Sequence, residues 1–425
     1  MERRLGEQSA NPASEWWLEC DHCGERFPLG AHLNGCPNDC SGSSDSVLET
    51  HFRPQKPPVP LDQRGAARGL VRYLDLLPGT SGREWLGLGE GGTPLLRSRV
   101  VGPKLGLKQL YFKNETVNPT WSFKDRYVAV TVNMALSFGF RKFVVSSTGN
   151  LGTSVAAYSA AAGAECVFLA PPDTDQPILN QACLHGARVV LTGDDVRRAL
   201  LERIASHESW WPVGLFLPRT VQNPYGIEGY KTFAYELIED LGTPPAAVLF
   251  PCARGNGLYG AWKGFRELRD WGWSTRTPAM VACQPEGANS LEVSLRDDLD
   301  HVVELPRFKS IAVSTSESVA SVHALRAIRD SGGIALSADE QMIVEAVRWL
   351  GLEGLYVETS SALPVACLPR LLESGTIDPD KPIVCILTAA GIKWLSMQVS
   401  GAEPVIELVD NARAVDRFCH EIGVV

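Results

Sequence analysis

The chain has 425 residues, 44% of them hydrophobic and 21% charged, with a formal net charge of −9. That length supports two lobes with proper cores and a small appendage, in an ordinary globular composition. The acidic balance argues against a nucleic-acid partner, no apolar run reaches membrane-spanning length, and the opening Met1-Glu-Arg-Arg-Leu-Gly-Glu7 lacks the hydrophobic region of a secretion signal.

The first feature along the chain is a cysteine cluster, Cys20-x2-Cys23 and Cys36-x3-Cys40, with twelve residues between the pairs. Four thiolates at this spacing can make a tetrahedral site for structural zinc, which leaves no open position for catalysis. A metal-free knuckle, or His22 standing in as a ligand, are the alternatives. The other seven cysteines are scattered, several in apolar runs such as Ile383–Leu387, where a thiol behaves as a small core hydrophobe. This usage predicts a reducing, cytoplasmic compartment. Pro54-Gln-Lys-Pro-Pro-Val-Pro60 reads as an extended linker, so residues 1–55 form a Cys-rich extension.

From about residue 107 short apolar runs alternate with helical stretches. The predicted strands are Leu110–Lys113, Lys142–Ser146, Cys166–Ala170, Arg188–Leu191, Ala246–Phe250, Met280–Cys283 and Pro382–Leu387. The predicted helices include Ser154–Ala162, Asp195–Ser206, Leu258–Asp270 and Ala338–Leu350. Buried strands alternating with helices imply parallel sheets covered on both faces, whose ligand sites lie at the carboxyl ends of the strands.

Three handovers carry candidate chemistry. Asn118-Pro-Thr-Trp-Ser-Phe-Lys-Asp-Arg126 puts Lys124 near the start of a helix running to about Phe138; such a lysine either pairs at the surface or, desolvated, meets a carbonyl compound. Val144–Gly152 leads from a strand through Ser147, Thr148 and Asn150 into a helix start, a place for an anion or simply a capped helix. Leu249–Gly260 sets Gly255, Gly257 and Gly260 between a strand and a helix, where the backbone can approach a phosphate. It is neither a P-loop nor a dinucleotide fingerprint.

Together these segments resemble the threonine synthase family of fold-type II pyridoxal-phosphate (PLP) enzymes. The lysine run matches the family's Asn-Pro-Thr-Gly-Ser-Phe-Lys-Asp-Arg everywhere except Trp121, and Ser147–Asn150 matches its asparagine loop. The resemblance continues through Ile227–Glu236, Val357–Ala362 and Cys385–Lys393, covering roughly residues 85–395. It implies a tryptophan synthase β-like fold of two three-layer α/β/α lobes with PLP between them, plus the N-terminal four-cysteine knuckle. The expected division is a large PLP-binding lobe from 56–114 and 226–425 and a small α/β lobe from 115–225.

The resemblance also implies roles. Lys124 holds PLP as a Schiff base and shuttles protons, and Asn150 bonds the ring hydroxyl. Gly255, Asn256, Gly257 and Leu258 hold the cofactor phosphate, and Thr388 faces the pyridine nitrogen, where a neutral hydroxyl tunes the electron sink. Ser147, Thr148 and Asn150 frame the substrate carboxylate, and Arg126 is a candidate for the departing phosphate. The implied reaction is a carbon–oxygen lyase reaction on O-phosphohomoserine, giving threonine and phosphate, in a cytoplasmic homodimer. A β-replacement on O-phosphoserine, a β-elimination of the dehydratase kind and an inactive PLP-binding homologue are the alternatives. Four departures touch the substrate: Trp121, which either walls the pocket or packs outward; Tyr127, where a small residue is usual; the Cys252-Ala-Arg opening of the glycine turn; and Ala389, where the family has glycine.

Overall fold

The computed structural model describes residues 16–33, 35–38, 40, 48–54, 58–79, 84–216 and 221–394. Thirteen strands build the parts that matter for the site. Three short ones form the N-terminal module: β1 (Trp16–Cys20), β2 (Arg26–Phe27) and β3 (Leu48–Phe52), paired antiparallel in the order β2-β1-β3. Leu18, Cys20 and Leu48 point inward, and Thr50 donates from Oγ1 to the carbonyl of Pro224 at 3.2 Å, tying this module to the main body.

The main body holds two sheets. The larger contains β4 (Leu95–Arg97), β5 (Leu110–Asn114), β10 (Ala247–Pro251), β11 (Ala279–Pro285), β12 (Ile334–Ala338) and β13 (Ile383–Leu387). Their spatial order is β12-β11-β10-β13-β5-β4, parallel throughout except for the edge strand β4. The smaller contains β6 (Lys142–Ser146), β7 (Glu165–Ala170), β8 (Arg188–Leu191) and β9 (Trp211–Val213), all parallel in the order β8-β7-β6-β9. Ile383–Leu387 is buried at every residue because helices cover both faces of its sheet, which is why it reads as an unbroken apolar run.

Seven helices position the site: α1 (Lys124–Ser137), α2 (Asn150–Ala161), α3 (Pro224–Tyr230), α4 (Thr232–Leu241), α5 (Asn256–Asp270), α6 (Val322–Asp330) and α7 (Thr359–Ala366). Helix α1 is buried from Asp125 to Ala135 on all sides, as befits a central helix. Its close neighbour is α3, where a Cβ added at Gly229 would lie 2.0 Å from the Arg126 carbonyl oxygen. One expectation is corrected here. The helix read from Ala338 begins at Glu340, because Ile334–Ala338 pairs with β11 and Asp339 caps the helix by accepting the Met342 N–H at 2.8 Å.

Candidate active site

Lys124, Asn150, the Gly255–Leu258 turn and Thr388 follow the carboxyl ends of β5, β6, β10 and β13 respectively. The loop after β5 is held in place by Asp125, whose buried carboxylate accepts from Thr120 N at 2.7 Å, Thr120 Oγ1 at 2.6 Å and Ser154 Oγ at 2.5 Å. Burial lifts this carboxyl to about 6, against those hydrogen bonds. The chain then turns onto β13, with Phe123 N donating to Thr388 O at 2.8 Å and Ser122 bridging Ala389. Lys124 is thereby set at the first position of α1, beside Thr388.

The Lys124 amine is desolvated. Its Nζ lies 4.5 Å from the Phe123 ring centroid and has no hydrogen bond or ion pair among the described residues. Burial lowers it to about 8, from 10.5 for an ordinary lysine, although the Glu358 and Glu317 carboxylates oppose this. A large fraction of neutral amine near physiological pH is what a carbonyl-binding lysine requires.

Asn150 opens α2, and its Nδ2 donates to Glu358 Oε2 at 2.8 Å while its buried Oδ1 has no partner. Gly149 packs closely under Ile178, whose Cδ1 would lie 2.6 Å from a Cβ added there. Ser147 and Thr148 are partly exposed on the same loop, and Ser147 Oγ accepts from Gly149 N at 3.0 Å. Thr388 Oγ1 stands 2.9 Å from Ser361 Oγ on α7.

After β10, Gly255 takes a φ of 84° and leads into the first turn of α5. A Cβ at Gly255 would come 2.4 Å from the Ala324 Cβ, and one at Gly257 would come 2.9 Å from the Phe123 ring. Both positions therefore need glycine, and the backbone N–H groups of the helix start remain available to an anion. Asn256 Oδ1 is also buried without a partner.

These features fit PLP. An amine about half neutral near pH 8 stands near a buried amide whose oxygen has no partner and a hydroxyl at a strand end, and a glycine-opened helix N-terminus lies next to Phe123. The residues that would hold the group are Lys124, Asn150, Thr388 and the Gly255–Leu258 turn.

Arg126 is not brought to the site. It is fully buried, with Nε on Glu115 Oε2 (2.7 Å), Nη1 on Thr232 Oγ1 (2.7 Å) and Glu236 Oε1 (2.6 Å), and Nη2 on Glu115 Oε1 (2.9 Å) and Glu236 Oε2 (2.8 Å). With Thr93 Oγ1 also 3.3 Å from Nη2, five N–H donors meet six acceptors, so none is left for a substrate phosphate. Tyr127 likewise belongs to packing: its ring fills the space above Gly226, where a Cβ would sit 2.3 Å away, and its hydroxyl donates to Gly214 O at 3.1 Å.

Trp121 adopts a φ of 60° and its side chain stays 43% exposed. The left-handed backbone explains the glycine of the resembled motif, and a non-glycine residue there is strained by roughly 1–2 kcal/mol.

Two buried charges were missed from sequence. Glu358 stands at the residue before α7 and accepts from Asn150; Lys393 donates from Nζ to Thr120 O at 2.9 Å and is held at about 8 by burial, against Glu358 and Asp125. An acid and a lysine set among small and apolar residues, in Val357–Ala362 and Cys385–Lys393, were the available signal.

In the N-terminal module the four Sγ atoms of Cys20, Cys23, Cys36 and Cys40 lie within 4.8 Å of one another, with close pairs at 3.9, 3.8 and 3.6 Å. A tetrahedron with Zn–S bonds of about 2.3 Å has edges of about 3.8 Å, so the arrangement suits zinc. His22 is exposed and stands outside this group.

Residues 86–389 match the family described as pyridoxal-phosphate dependent enzyme. The threonine synthase of Methanocaldococcus jannaschii is 32% identical over 411 residues, covering 95% of this chain and 99% of the relative. That of Methanosarcina acetivorans is 32% identical over 409 residues, covering 94% and 96%. Among solved structures, the processed threonine deaminase isoform 2 of Solanum lycopersicum superposes with a TM-score of 0.62 at 19% identity, covering 88% of this chain and 94% of that one. A fungal L-serine ammonia-lyase from Rhizomucor miehei gives 0.61 at 22% identity, covering 70% and 93%. These likenesses show the fold-type II architecture. No described helix is long and apolar enough to cross a membrane.

Proposed function

The chain belongs to the threonine synthase family of pyridoxal-phosphate-dependent lyases, and from that premise we propose that it converts O-phosphohomoserine to threonine and phosphate. The observation that carries the reading is Lys124, desolvated at a helix start between Thr388 and the Asn150–Glu358 pair. When bound, PLP supplies an electron sink for carbanions formed at amino-acid carbons.

The protein's own groups do the rest. Lys124 Nζ, neutral for much of the time near pH 8, takes the proton from the substrate Cα and serves the neighbouring carbons in turn. A proton leaves Cβ as the C–O bond at Cγ breaks and phosphate departs; water then adds its OH at Cβ, and protons return to Cγ and to Cα. Asn150 would bond the ring oxygen, and Ser147 and Thr148 would offer hydroxyls to the substrate carboxylate. The Gly255–Leu258 turn would direct backbone N–H groups at the cofactor phosphate, and Thr388 would meet the ring nitrogen without a formal charge. Trp121, exposed beside the Ser122–Ala389 bridge, would meet the substrate from the solvent side. The four cysteines hold a structural zinc, and the expected form is a cytoplasmic homodimer of lobes 56–114 with 226–425, and 115–225.

The test is a panel of O-phosphohomoserine, O-phosphoserine, threonine and serine with the PLP-loaded protein. Stoichiometric phosphate and threonine from O-phosphohomoserine alone is the expected result. Phosphate from O-phosphoserine, or ammonia from threonine or serine with no turnover of O-phosphohomoserine, would replace the proposal with β-replacement or β-elimination.

A further inference from the structure

Glu358 is the buried acid of the site that the chemistry above leaves without a task. It is 2% exposed, its backbone N donates to Ala389 O at 3.1 Å, and its Oε2 takes one Asn150 N–H at 2.8 Å. The charged groups facing it are Lys124 on α1 and Lys393 after β13; Glu317 in turn faces Lys124, and Asp125 faces Lys393. Burial raises the Glu358 carboxyl above its ordinary range, while the Asn150 bond and Lys393 oppose that rise.

A primary amide has two ends of nearly equal size and opposite hydrogen-bonding character. A Glu358 carboxylate can only accept, so it takes Nδ2 and leaves the unpartnered Oδ1 turned away from it. A Glu358 carboxylic acid can donate its O–H to Oδ1 after a half-turn of the amide, which frees both Nδ2 hydrogens. The half-turn exchanges atoms of similar volume and needs no repacking around α2.

We propose that Glu358 is a positioning residue whose proton decides which end of the Asn150 amide meets the cofactor's ring oxygen. With Glu358 ionised, the amide oxygen and one N–H remain, which favours a protonated ring hydroxyl. With Glu358 neutral, two N–H donors are free, which favours the ring oxygen as an anion. The proton exchanges with solvent and no covalent bond is made or broken. This inference rests on Asn150 as the ring-oxygen partner.

The experiment is the visible spectrum of the PLP-loaded protein at several pH values, for wild type, Glu358→Gln, Asn150→Ala and the double variant. A hydrogen bond to a charged group is strong enough to move the ratio of the two absorbing forms by about tenfold. Glu358→Gln is expected to change that ratio by about tenfold in the wild-type background and by less than about twofold in the Asn150→Ala background. Equal changes in both backgrounds would overturn the proposal, since Glu358 would then act without the amide. If Asn150→Ala leaves the spectrum of the bound cofactor unchanged, it is the assignment of Asn150 to the ring oxygen that fails. Should Glu358→Gln not fold, Glu358→Asp, one methylene shorter and out of reach of the amide, must show the same dependence on Asn150; a shift independent of Asn150 would again overturn it.

Discussion

Two lysines at this site were equally visible as letters, yet only Lys124 was singled out, because its nine-residue run is distinctive and Lys393 sits at the end of a looser one. What sequence could not convey is that Lys393 is buried, Lys124 half-buried with its amine desolvated, and both are held at about 8. Arg126 shows the opposite failure. Beside a reactive lysine it reads as a ligand for anions, but its partner Glu236 lies 110 positions away and only the fold brings the two together. Removing one partner of such a buried ionic cluster costs roughly 3–5 kcal/mol, which is a structural burden rather than a catalytic one. The lowered Lys124 amine yields a pH prediction. A lowered pKa means that the proton is lost at lower pH, so the nucleophilic neutral form predominates above about 8 instead of above 10.5. The rate at which the cofactor-free protein takes up PLP, followed by the growth of its visible band, should rise with pH and level off just above 8. A rate still climbing at pH 10 would show that the amine is not desolvated.

At the scale of elements, the apolar strand runs were legible because helices cover both faces of the sheets and no polar face interrupts them. The short edge strands β4 and β9 and the N-terminal β2 were not, since they have three, three and two residues, too few for a period to register. The tight crossing of α1 and α3 was hidden as well. Its cause is in plain sight, in Gly226 and Gly229, but which backbone they approach is known only from the packing. Gly229→Ala would drive a methyl to 2.0 Å from the Arg126 carbonyl oxygen, at the helix that carries Lys124. We expect a loss of about 3 kcal/mol in urea unfolding. Gly351→Ala, at a helical position with nothing within 4 Å, should be neutral or gain up to about 1 kcal/mol. Equal behaviour of the two variants would mean that the close crossing is absent.

At the scale of the whole molecule, the cysteine knuckle is joined to the cofactor region through side chains. Asp21, between Cys20 and Cys23, reaches His323 Nε2 at 2.5 Å and Arg326 Nη1 at 2.9 Å on α6. The His323 ring stacks on Tyr259 of α5 with centroids 4.6 Å apart, and its neighbour Ala324 abuts Gly255. Loss of metal in Cys20→Ser should therefore lower the melting temperature and loosen PLP several-fold. Metal content and cofactor retention after gel filtration report both; unchanged retention in a metal-free protein would mean that the module is only an appendage. Two lysines of similar basicity meet at the Thr120–Asp125 loop, Lys124 within it and Lys393 donating to its Thr120 carbonyl. Which of them carries the cofactor decides the whole reading. Borohydride reduction of the PLP-loaded protein, followed by proteolysis and mass spectrometry, should find the label on the Lys124 peptide and none after Lys124→Ala; label on Lys393, or on neither lysine, would contradict it.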